Sequence, residues 1–224
     1  MNSKYSVISN YFVEVHPGKV LNGIIEEKKN QLISFLGEVI VDNPFKSRFL
    51  RDSPHFTLMC ARTGDLYAFS EKLEEVANNF SRISYEIVDV EDNRTPGDLI
   101  EIRTVVEESD RQKFKDLHLA VLEASLPFNN AGIYERFQQG FSGEALDNIN
   151  HCGFPGSRNL YRPHASLGRV HKDIRPSVEH LVNPNVFDPT GFYVSGDLIL
   201  WRLPFDKDDP TATPEHFMTI PLGD

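Results

Sequence analysis

Two spacings of apolar residues run along the chain and predict alternating strands and helices. Apolar side chains that recur every second residue predict strands, and those that recur every third or fourth residue predict helices. The predicted strands are Tyr11 to Val15, Ile83 to Val90 and Leu99 to Val106, and the predicted helices are Val20 to Leu36, Leu66 to Phe80 and Asp110 to Leu126. The last two strands are joined by a turn-rich link, residues 92–98, and are expected to form a hairpin.

Glycine, proline and small polar residues mark the ends of these elements. Gly37 is expected to stop the first helix, and Ser109 with Asp110 is expected to cap the third. Residues 128–161 are rich in Gly and Asn, and we interpret this long irregular stretch as a lid or insertion with a short helix near 143–149. A helix from Pro176 to Val182 and two late strands, Gly191 to Leu203 and His216 to Pro221, complete the prediction.

One short motif occurs twice, as Pro54-His55-Phe56-Thr57-Leu58 and as Pro163-His164-Ala165-Ser166-Leu167. Both copies are predicted to lie on strands, His55 to Cys60 and His164 to Val170. Because successive side chains of a strand point to opposite faces, each copy presents a histidine and a hydroxyl on one face and apolar side chains on the other. If the two strands lie side by side, two imidazoles can act as acid and base beside two hydroxyls that can donate to a phosphate.

The order strand, helix, histidine strand, helix occurs in both halves of the chain. We therefore predict an α+β fold with two pseudo-symmetric lobes, each an antiparallel sheet with helices packed outside, which enclose a central cleft. Residues 1–224 are expected to form a single domain, because a chain of this length can bury a sufficient core without disulfides or metals.

The repeated motif resembles that of the two-histidine (2H) phosphoesterase superfamily, which includes RNA 2′,3′-cyclic phosphodiesterases and bacterial RNA ligase-like proteins. The resemblance covers most of the chain, since it includes both motifs and the order of the elements between them. It implies that His55 and His164 are catalytic and that Thr57 and Ser166 contact the phosphate. It also implies a phosphodiesterase that hydrolyses a 2′,3′-cyclic phosphate or another small nucleotide or RNA-end phosphodiester.

The two histidines support the same chemistry independently of the family resemblance. Opening a cyclic phosphodiester needs a base that takes a proton from water and an acid that protonates the departing ribose oxygen. Two imidazoles with an ordinary pKa of about 6.5 can supply both forms near neutral pH. The sequence does not assign the two roles to particular histidines. This scheme needs neither a cofactor nor a metal, and no cluster with zinc-finger or zincin spacing occurs in the sequence.

Four residues near the motifs are candidates for substrate binding: Arg51, Tyr161, Arg162 and Arg169. Counting back in steps of two along each strand places Arg51 and Arg162 on the face of the histidines. A guanidinium there would stabilise the charge that develops on the phosphoryl oxygens.

The distribution of charge suggests the kind of partner. A formal net charge of −10 argues against a protein that coats long nucleic acids, because such binding depends on neutralising many phosphates. Residues 46–62 nevertheless carry four cations and one acid, and residues 158–175 carry five cations and one acid. Positive charge therefore collects around the two motifs, which favours a small nucleotide or the phosphorylated end of an RNA as the substrate.

The composition also suggests where the protein works. Its two cysteines, Cys60 and Cys152, form no paired-cysteine motif, which favours the reducing cytoplasm. No apolar run approaches the length that spans a membrane, so we expect no membrane partner. We expect a cytoplasmic monomer.

Three alternatives remain open at this point. On the same fold, the protein could cleave 2′-5′ linkages, trim RNA 3′ ends or ligate RNA. It could instead be a non-catalytic nucleotide- or RNA-end-binding module, because a fold does not fix a function. A third interpretation is a metal hydrolase built on His151, Cys152, His164 and His171.

Overall fold

The computed structural model describes residues 9–39, 54–95, 99–129, 140–183, 188–203 and 214–223. The strands are β1 (Ser9–Val15), β2 (Phe56–Thr63), β3 (Ser84–Thr95), β4 (Leu99–Val106), β5 (Ser166–His171), β6 (Gly191–Val194), β7 (Leu198–Leu203) and β8 (Glu215–Ile220). The helices are α1 (Lys19–Val39), α2 (Leu66–Ala77), α3 (Glu108–Ser125), α4 (Gly143–Cys152) and α5 (Arg175–Val182).

The strands form two four-stranded antiparallel sheets. Sheet A has the order β2-β1-β7-β8, and sheet B has the order β5-β4-β3-β6. The succession β1-α1-β2-α2 builds the first half of the chain, and β4-α3-β5 followed by α5 repeats it in the second. Each motif strand, β2 or β5, lies at the edge of its sheet. The predicted α+β fold with two pseudo-symmetric lobes is thus confirmed.

The hydrophobic pattern of each element determines which of its faces is buried. In β1, Tyr11, Val13 and Val15 lie on one face and are fully buried, while Phe12 and Glu14 lie on the other. Helix α2 begins after Asp65, whose carboxylate accepts a hydrogen bond of 3.0 Å from the backbone N–H of Ala68. It contacts α3 and β8, while α3 contacts β2 and α1 contacts β5 and α5. No described helix has the length and apolar character needed to cross a membrane.

Two predicted helix ends are wrong, and tertiary contacts explain both. Helix α1 continues through Gly37 to Val39, because burial of Leu36 near its end outweighs the modest helix cost of one glycine. Helix α3 starts at Glu108, so Ser109 does not cap it. The carboxylate of Asp110 instead accepts a hydrogen bond of 2.9 Å from the backbone N–H of Glu86 and thereby ties α3 to β3.

The predicted strand from Gly191 to Leu203 is two strands in different sheets. The chain leaves sheet B after β6 and enters sheet A as β7. The intervening residues are held by contacts with both sheets. Ser195 Oγ accepts a hydrogen bond of 2.8 Å from the N–H of Ile83, and the carbonyl of Asp197 accepts one of 3.1 Å from the N–H of His16. An apolar run therefore did not mark a single strand.

The predicted hairpin and the short helix near residues 143–149 are present. The hairpin is formed by β3 and β4, whose register runs from Ile87 opposite Val106 to Thr95 opposite Leu99. Residues 96–98 of the predicted link lie outside the described part of the chain. The short helix is α4, and 3-10 turns at Leu126–Phe128 and Arg158–Leu160 lie near the ends of the long stretch. Its role as a lid remains a prediction.

Candidate active site

The two motif strands meet edge to edge between the sheets. An isolated antiparallel β-bridge joins Phe56 to Ala165, the central residues of the two motifs. Both side chains are fully buried, so the flanking residues on each strand point to the opposite, cleft face. His55 and His164 therefore share that face as diagonal neighbours, which in an antiparallel pair corresponds to Cβ atoms roughly 7 Å apart.

The bridge also fixes where the two motif hydroxyls lie. Antiparallel pairing of Phe56 with Ala165 places His55 across from Ser166 and Thr57 across from His164. Each histidine thus lies across the strand pair from the hydroxyl residue of the other motif. The local arrangement is one small patch built equally from both halves of the chain.

Both bridge residues are firmly held by the core. The ring of Phe56 packs against those of Tyr85 and Phe114, at centroid distances of 5.3 and 4.6 Å. The backbone N–H of Ala165 donates to Thr104 Oγ1 at 2.9 Å, and the N–H of Thr104 donates to the carbonyl of Ala165 at 3.0 Å. These contacts preorganise the histidines, because each imidazole is adjacent to an immobilised residue.

A buried carboxylate orients the first histidine. Nδ1 of His55 lies 3.3 Å from Oε2 of Glu14, whose side chain is only 2% exposed. Glu14 lies on β1 directly opposite Thr57. Glu14 can therefore compensate the charge of an imidazolium at His55.

The second histidine is held by a backbone carbonyl. Nδ1 of His164 lies 2.8 Å from the carbonyl oxygen of Arg162, to which it can donate a proton. Nε2 then carries the lone pair, 3.6 Å from Oε2 of Glu101. Burial lowers the pKa of His164, and the nearby Arg103 and Arg169 lower it further, although Glu101 and the Arg162 carbonyl act in the opposite direction. The lowered pKa favours the neutral form of His164.

Glu101 contacts several polar side chains on the cleft face of sheet B. Its Oε1 accepts hydrogen bonds from Ser166 Oγ at 2.6 Å and from Nε and Nη2 of Arg169 at 3.2 and 3.1 Å. Its Oε2 accepts one from Asn93 Nδ2 at 3.3 Å. Burial alone would raise the pKa of Glu101, but His164, Arg169 and these hydrogen bonds outweigh it and lower the pKa to about 2.

An irregularity in β5 brings Arg169 to the cleft. Relative to β4, this strand carries one extra residue between Ser166 and Gly168. Gly168 has φ +148°, a conformation that residues with a side chain rarely adopt. If the side chains of β5 simply alternated between faces from His164 onwards, Arg169 would point away from the cleft. The extra residue instead places Arg169 opposite Glu101.

The same irregularity occurs in β2. Its extra residue lies between Thr57 and Met59. In both strands that residue is the leucine of the repeated motif, Leu58 or Leu167, and its side chain is fully buried. The bulge is therefore part of the repeat and shifts the strand register after each motif in the same way.

Equivalent positions on the cleft faces of the two sheets differ in polarity. The pairs Glu14–Thr57 and Phe12–Cys60 of sheet A correspond to Arg103–Ser166 and Glu101–Arg169 of sheet B. On the next strand, Ile199 and Trp201 of sheet A correspond to Glu91 and Asn93 of sheet B. Apart from Glu14 and Thr57, sheet A presents apolar, aromatic and thiol side chains where sheet B presents charged and amide side chains.

The predicted substrate-binding residues have different surroundings. Arg169 faces the cleft as described above. Arg162 is exposed, and its Nη1 donates to the carbonyls of Asn159 and Tyr161 at 3.0 Å each. The ring of Tyr161 is buried and stacks on His118 at a centroid distance of 4.2 Å, which makes it a core side chain rather than a cleft side chain. Arg51 lies outside the described residues.

Sequence reasoning missed Glu14, Glu101 and Arg103. A signal was available for the two glutamates, because each is a carboxylate between two β-branched apolar residues of a predicted strand, in Val13-Glu14-Val15 and Ile100-Glu101-Ile102. A charge at a half-buried strand position needs a partner. Arg103 gave no such signal, since its place beside the site follows from the strand register.

His118 is fully buried and links Leu58 of the first motif to Arg158. Its Nδ1 donates to the carbonyl of Leu58 at 2.7 Å, and its Nε2 accepts from the backbone N–H of Arg158 at 3.0 Å. Burial lowers the pKa of His118 to about 4, which fits a neutral ring with one donor and one acceptor nitrogen.

The metal-hydrolase interpretation finds no site in the described part of the chain. No three or more His, Cys, Asp or Glu side chains among these residues are arranged so that they could hold a metal ion. His151, Cys152, His164 and His171 all belong to this part. Cys152 is buried, with its thiol directed to the carbonyl of Asn148 at 3.1 Å.

The fold has counterparts among solved structures, although the sequence does not. No protein family and no curated protein matches the sequence. The structure of TT0787 of Thermus thermophilus superposes with a TM-score of 0.57 and 12% identity, covering 96% of this chain and 99% of that one. E. coli LigT in its apo form superposes with a TM-score of 0.50 and 10% identity, covering 97% and 99%. The chain therefore shares the fold of these two proteins over nearly its whole length.

Proposed function

We propose that this protein is a phosphodiesterase that opens a 2′,3′-cyclic phosphate, or another small phosphodiester of a nucleotide or RNA end, by two-histidine acid–base catalysis. The bridge between Phe56 and Ala165 carries the proposal, because it places His55 and His164 on one cleft face. A single phosphorus atom between the two rings would be within reach of both.

The surroundings of the two histidines suggest separate roles. Neutral His164 is suited to take a proton at Nε2 from a water molecule as the water oxygen attacks phosphorus. His55, whose positive charge Glu14 can compensate, is suited to donate a proton from Nε2 to the departing ribose oxygen. One P–O bond forms, one breaks, and the two imidazoles exchange protonation states. A proton exchange with water then restores the starting state.

Cationic and hydroxyl groups at the site would stabilise the phosphoryl oxygens. Arg169 directs Nε and Nη2 to Glu101, so its remaining N–H groups are available for a phosphate. Thr57 adds a hydroxyl from the other lobe. Because the histidines supply both proton transfers, the proposed reaction requires no metal-bound water and no cofactor.

The proposal is tested by hydrolysis of nucleoside 2′,3′-cyclic phosphates in the presence of EDTA. We expect activity with a bell-shaped pH profile, and we expect His55→Ala and His164→Ala each to lower kcat by about 10²–10⁴. His151→Ala, at an exposed position on α4, is the matched control and should retain activity. Activity that disappears with the chelator, or that survives in either histidine variant, would contradict the mechanism.

One observation favours a second candidate, a nucleotide- or RNA-end-binding module without turnover. Ser166 donates its proton to Glu101, and the same carboxylate lies near Nε2 of His164, so two of the proposed reactive groups face an internal anion. Micromolar binding of a nucleoside monophosphate with no hydrolysis of any cyclic or linear phosphodiester would establish this alternative. The same substrate panel would separate cyclic phosphodiesterase activity from 2′-5′ cleavage and from RNA 3′-end trimming.

A cytoplasmic location is also part of the proposal. Cys60 and Cys152 are both free thiols, as expected in a reducing compartment.

A further inference from the structure

A row of aromatic rings extends from the candidate site across the cleft face of sheet A. The ring of Phe12 lies 5.6 Å from that of His55 and 5.8 Å from that of Trp201, measured between centroids. The ring of Trp201 lies 5.5 Å from that of His216. The row thus connects an imidazole of the site to β8 at the far edge of the sheet.

Strand register produces this row. Phe12 lies opposite Trp201, and Trp201 lies opposite His216. In β8, Phe217 is an extra residue between His216 and Met218, and this register shift brings His216, rather than Phe217, into the row. The ring of His216 is further held by a contact of 2.9 Å between its Nε2 and Thr219 Oγ1.

Exposure increases along the row with distance from the site. Phe12 is 9% exposed, Trp201 is half-buried and His216 is exposed. Phe12 therefore supports Trp201 from the side of the site, while Trp201 and His216 provide the accessible ring surface. A ligand whose phosphate lies at His55 would meet this surface as it extends towards β8.

The other lobe offers nothing comparable at the equivalent positions. Where sheet A has Phe12 and Trp201, sheet B has Glu101 and Asn93. The ionic lobe is thus suited to the phosphate, and the aromatic lobe is suited to flat, uncharged groups. Aromatic side chains bind unpaired nucleobases by stacking, with little preference for sequence.

We propose that Trp201 and His216 form a nucleobase-stacking surface that makes single-stranded oligonucleotide ends better ligands than free mononucleotides. This inference rests on the proposed function, because it assumes that the phosphodiester lies between His55 and His164. The row of rings from Phe12 to His216 is longer than one nucleobase. The nucleotide that carries the reacting phosphate therefore occupies the part near Phe12, and the next base reaches His216.

The first experiment uses the intrinsic fluorescence of Trp201, the only tryptophan of the chain. The wild-type protein is titrated with a mononucleotide, a dinucleotide and a trinucleotide that all end in a 3′-phosphate. We expect quenching of Trp201 and an affinity that rises about fivefold or more from the mononucleotide to the dinucleotide. Equal affinity for the three ligands, or binding without a change in Trp201 fluorescence, would overturn the inference.

A second ligand separates base stacking from phosphate contacts. A trinucleotide with two abasic sugars keeps every phosphate but lacks the two additional bases. We expect it to bind like the mononucleotide. If it binds as tightly as the complete trinucleotide, the phosphates carry the gain and the stacking surface is refuted.

Substitutions identify the side chains responsible for the increase of affinity with oligonucleotide length. The affinity of each variant is measured by the fluorescence anisotropy of a labelled trinucleotide. Trp201→Ala and His216→Ala should each remove most of the gain due to length, and Trp201→Phe should retain most of it because the ring is kept. His216 is exposed, so its variant tests the surface even if Trp201→Ala does not fold. Phe192→Ala, at an aromatic residue that is 84% exposed on β6, is the matched control and should bind like wild type.

Hydrolysis assays distinguish the failure of this inference from the failure of the proposed function. If cyclic phosphates are hydrolysed but mono- and oligonucleotides are used with equal kcat/KM, the stacking surface fails and the proposed function stands. If no phosphodiester is hydrolysed but affinity still increases with length through Trp201, the proposed reaction fails and the stacking surface stands.

Discussion

Glu14 of β1 and Arg103 of β4 occupy equivalent positions in the two lobes and carry opposite charges. Glu14 lies opposite Thr57, and Arg103 lies opposite Ser166. The two motifs are therefore similar in backbone and different in electrostatic surroundings. The pseudo-symmetric fold thus presents two unlike sides to the proposed phosphodiester, as the proposed reaction with one acid and one base requires.

This asymmetry predicts that the two histidines respond differently to the leaving group. A 4-nitrophenyl ester of a nucleoside phosphate releases a stable anion and needs little protonation. We expect His55→Ala to lose about 10²–10⁴ in kcat/KM on a cyclic phosphate but less than about tenfold on an aryl ester that the wild type cleaves. His164→Ala should lose activity on both. Steady-state rates on the two substrates provide the measurement, and the reverse pattern would exchange the assigned roles.

Replacing Glu101 is expected to change the pH dependence of activity. Its carboxylate favours the protonated form of His164, so Glu101→Gln removes an influence that raises the pKa of His164. The acidic limb of the profile of kcat/KM against pH should move to lower pH. Loss of the contacts to Ser166 and Arg169 should also reduce kcat, by up to about 10²-fold. Glu71→Gln, at an exposed position on α2, is the control, and an unmoved acidic limb would contradict the role of Glu101.

The bulge in β5 predicts a particular requirement for glycine. Gly168→Ala introduces a side chain at φ +148°, which should cost roughly 1–3 kcal/mol and displace Arg169 from the cleft. We expect a lower melting temperature and a higher KM for the phosphodiester. Gly23→Ala is a matched control, because nothing lies within 4 Å of the added Cβ and the site is inside α1. It should be neutral or slightly stabilising. Equal effects of the two substitutions on stability and KM would contradict the predicted requirement for glycine in the bulge.

Because buried His118 is neutral in the folded protein, we expect the free energy of unfolding to fall on acidification even above the pH range in which carboxylates are protonated. The folded protein holds the pKa of His118 near 4, below the ordinary value of 6.5, so only the unfolded chain binds this proton in between. The free energy of unfolding should therefore fall as pH decreases from about 6.5 to about 4, by roughly 3 kcal/mol for this group. His16 and His164, whose pKa values are also lowered by burial, act with the same sign.

Urea denaturation between pH 6.5 and 4.5 tests this linkage. In His118→Gln the pH dependence should become shallower, with the contributions of His16 and His164 remaining. The variant should also be less stable at neutral pH, because the carbonyl of Leu58 and the N–H of Arg158 lose their paired partner. If the slope of the free energy of unfolding against pH is the same in this variant as in wild type, His118 does not make the predicted contribution. Glu101 acts in a lower range, where stability is lost as pH falls from about 4.5 to about 2.

The sequence by itself determined the local elements and the repeated motif. The alternation in Tyr11 to Val15 and the apolar stripe that begins at Leu66 predicted β1 and α2, because each pattern follows from the geometry of its own segment. The two copies of the motif also gave the α+β class and the two-lobed arrangement, since the same order of elements surrounds both.

Only the tertiary structure decided how distant segments meet. The pairing of Phe56 with Ala165, the place of Arg169 opposite Glu101 and the ring row that ends at His216 all depend on strand register. Register is the result of packing over whole sheets, and one bulge reverses the faces of the residues that follow it. A local pattern identifies the side chains available for chemistry, whereas contacts between residues remote in sequence determine which of them share a site.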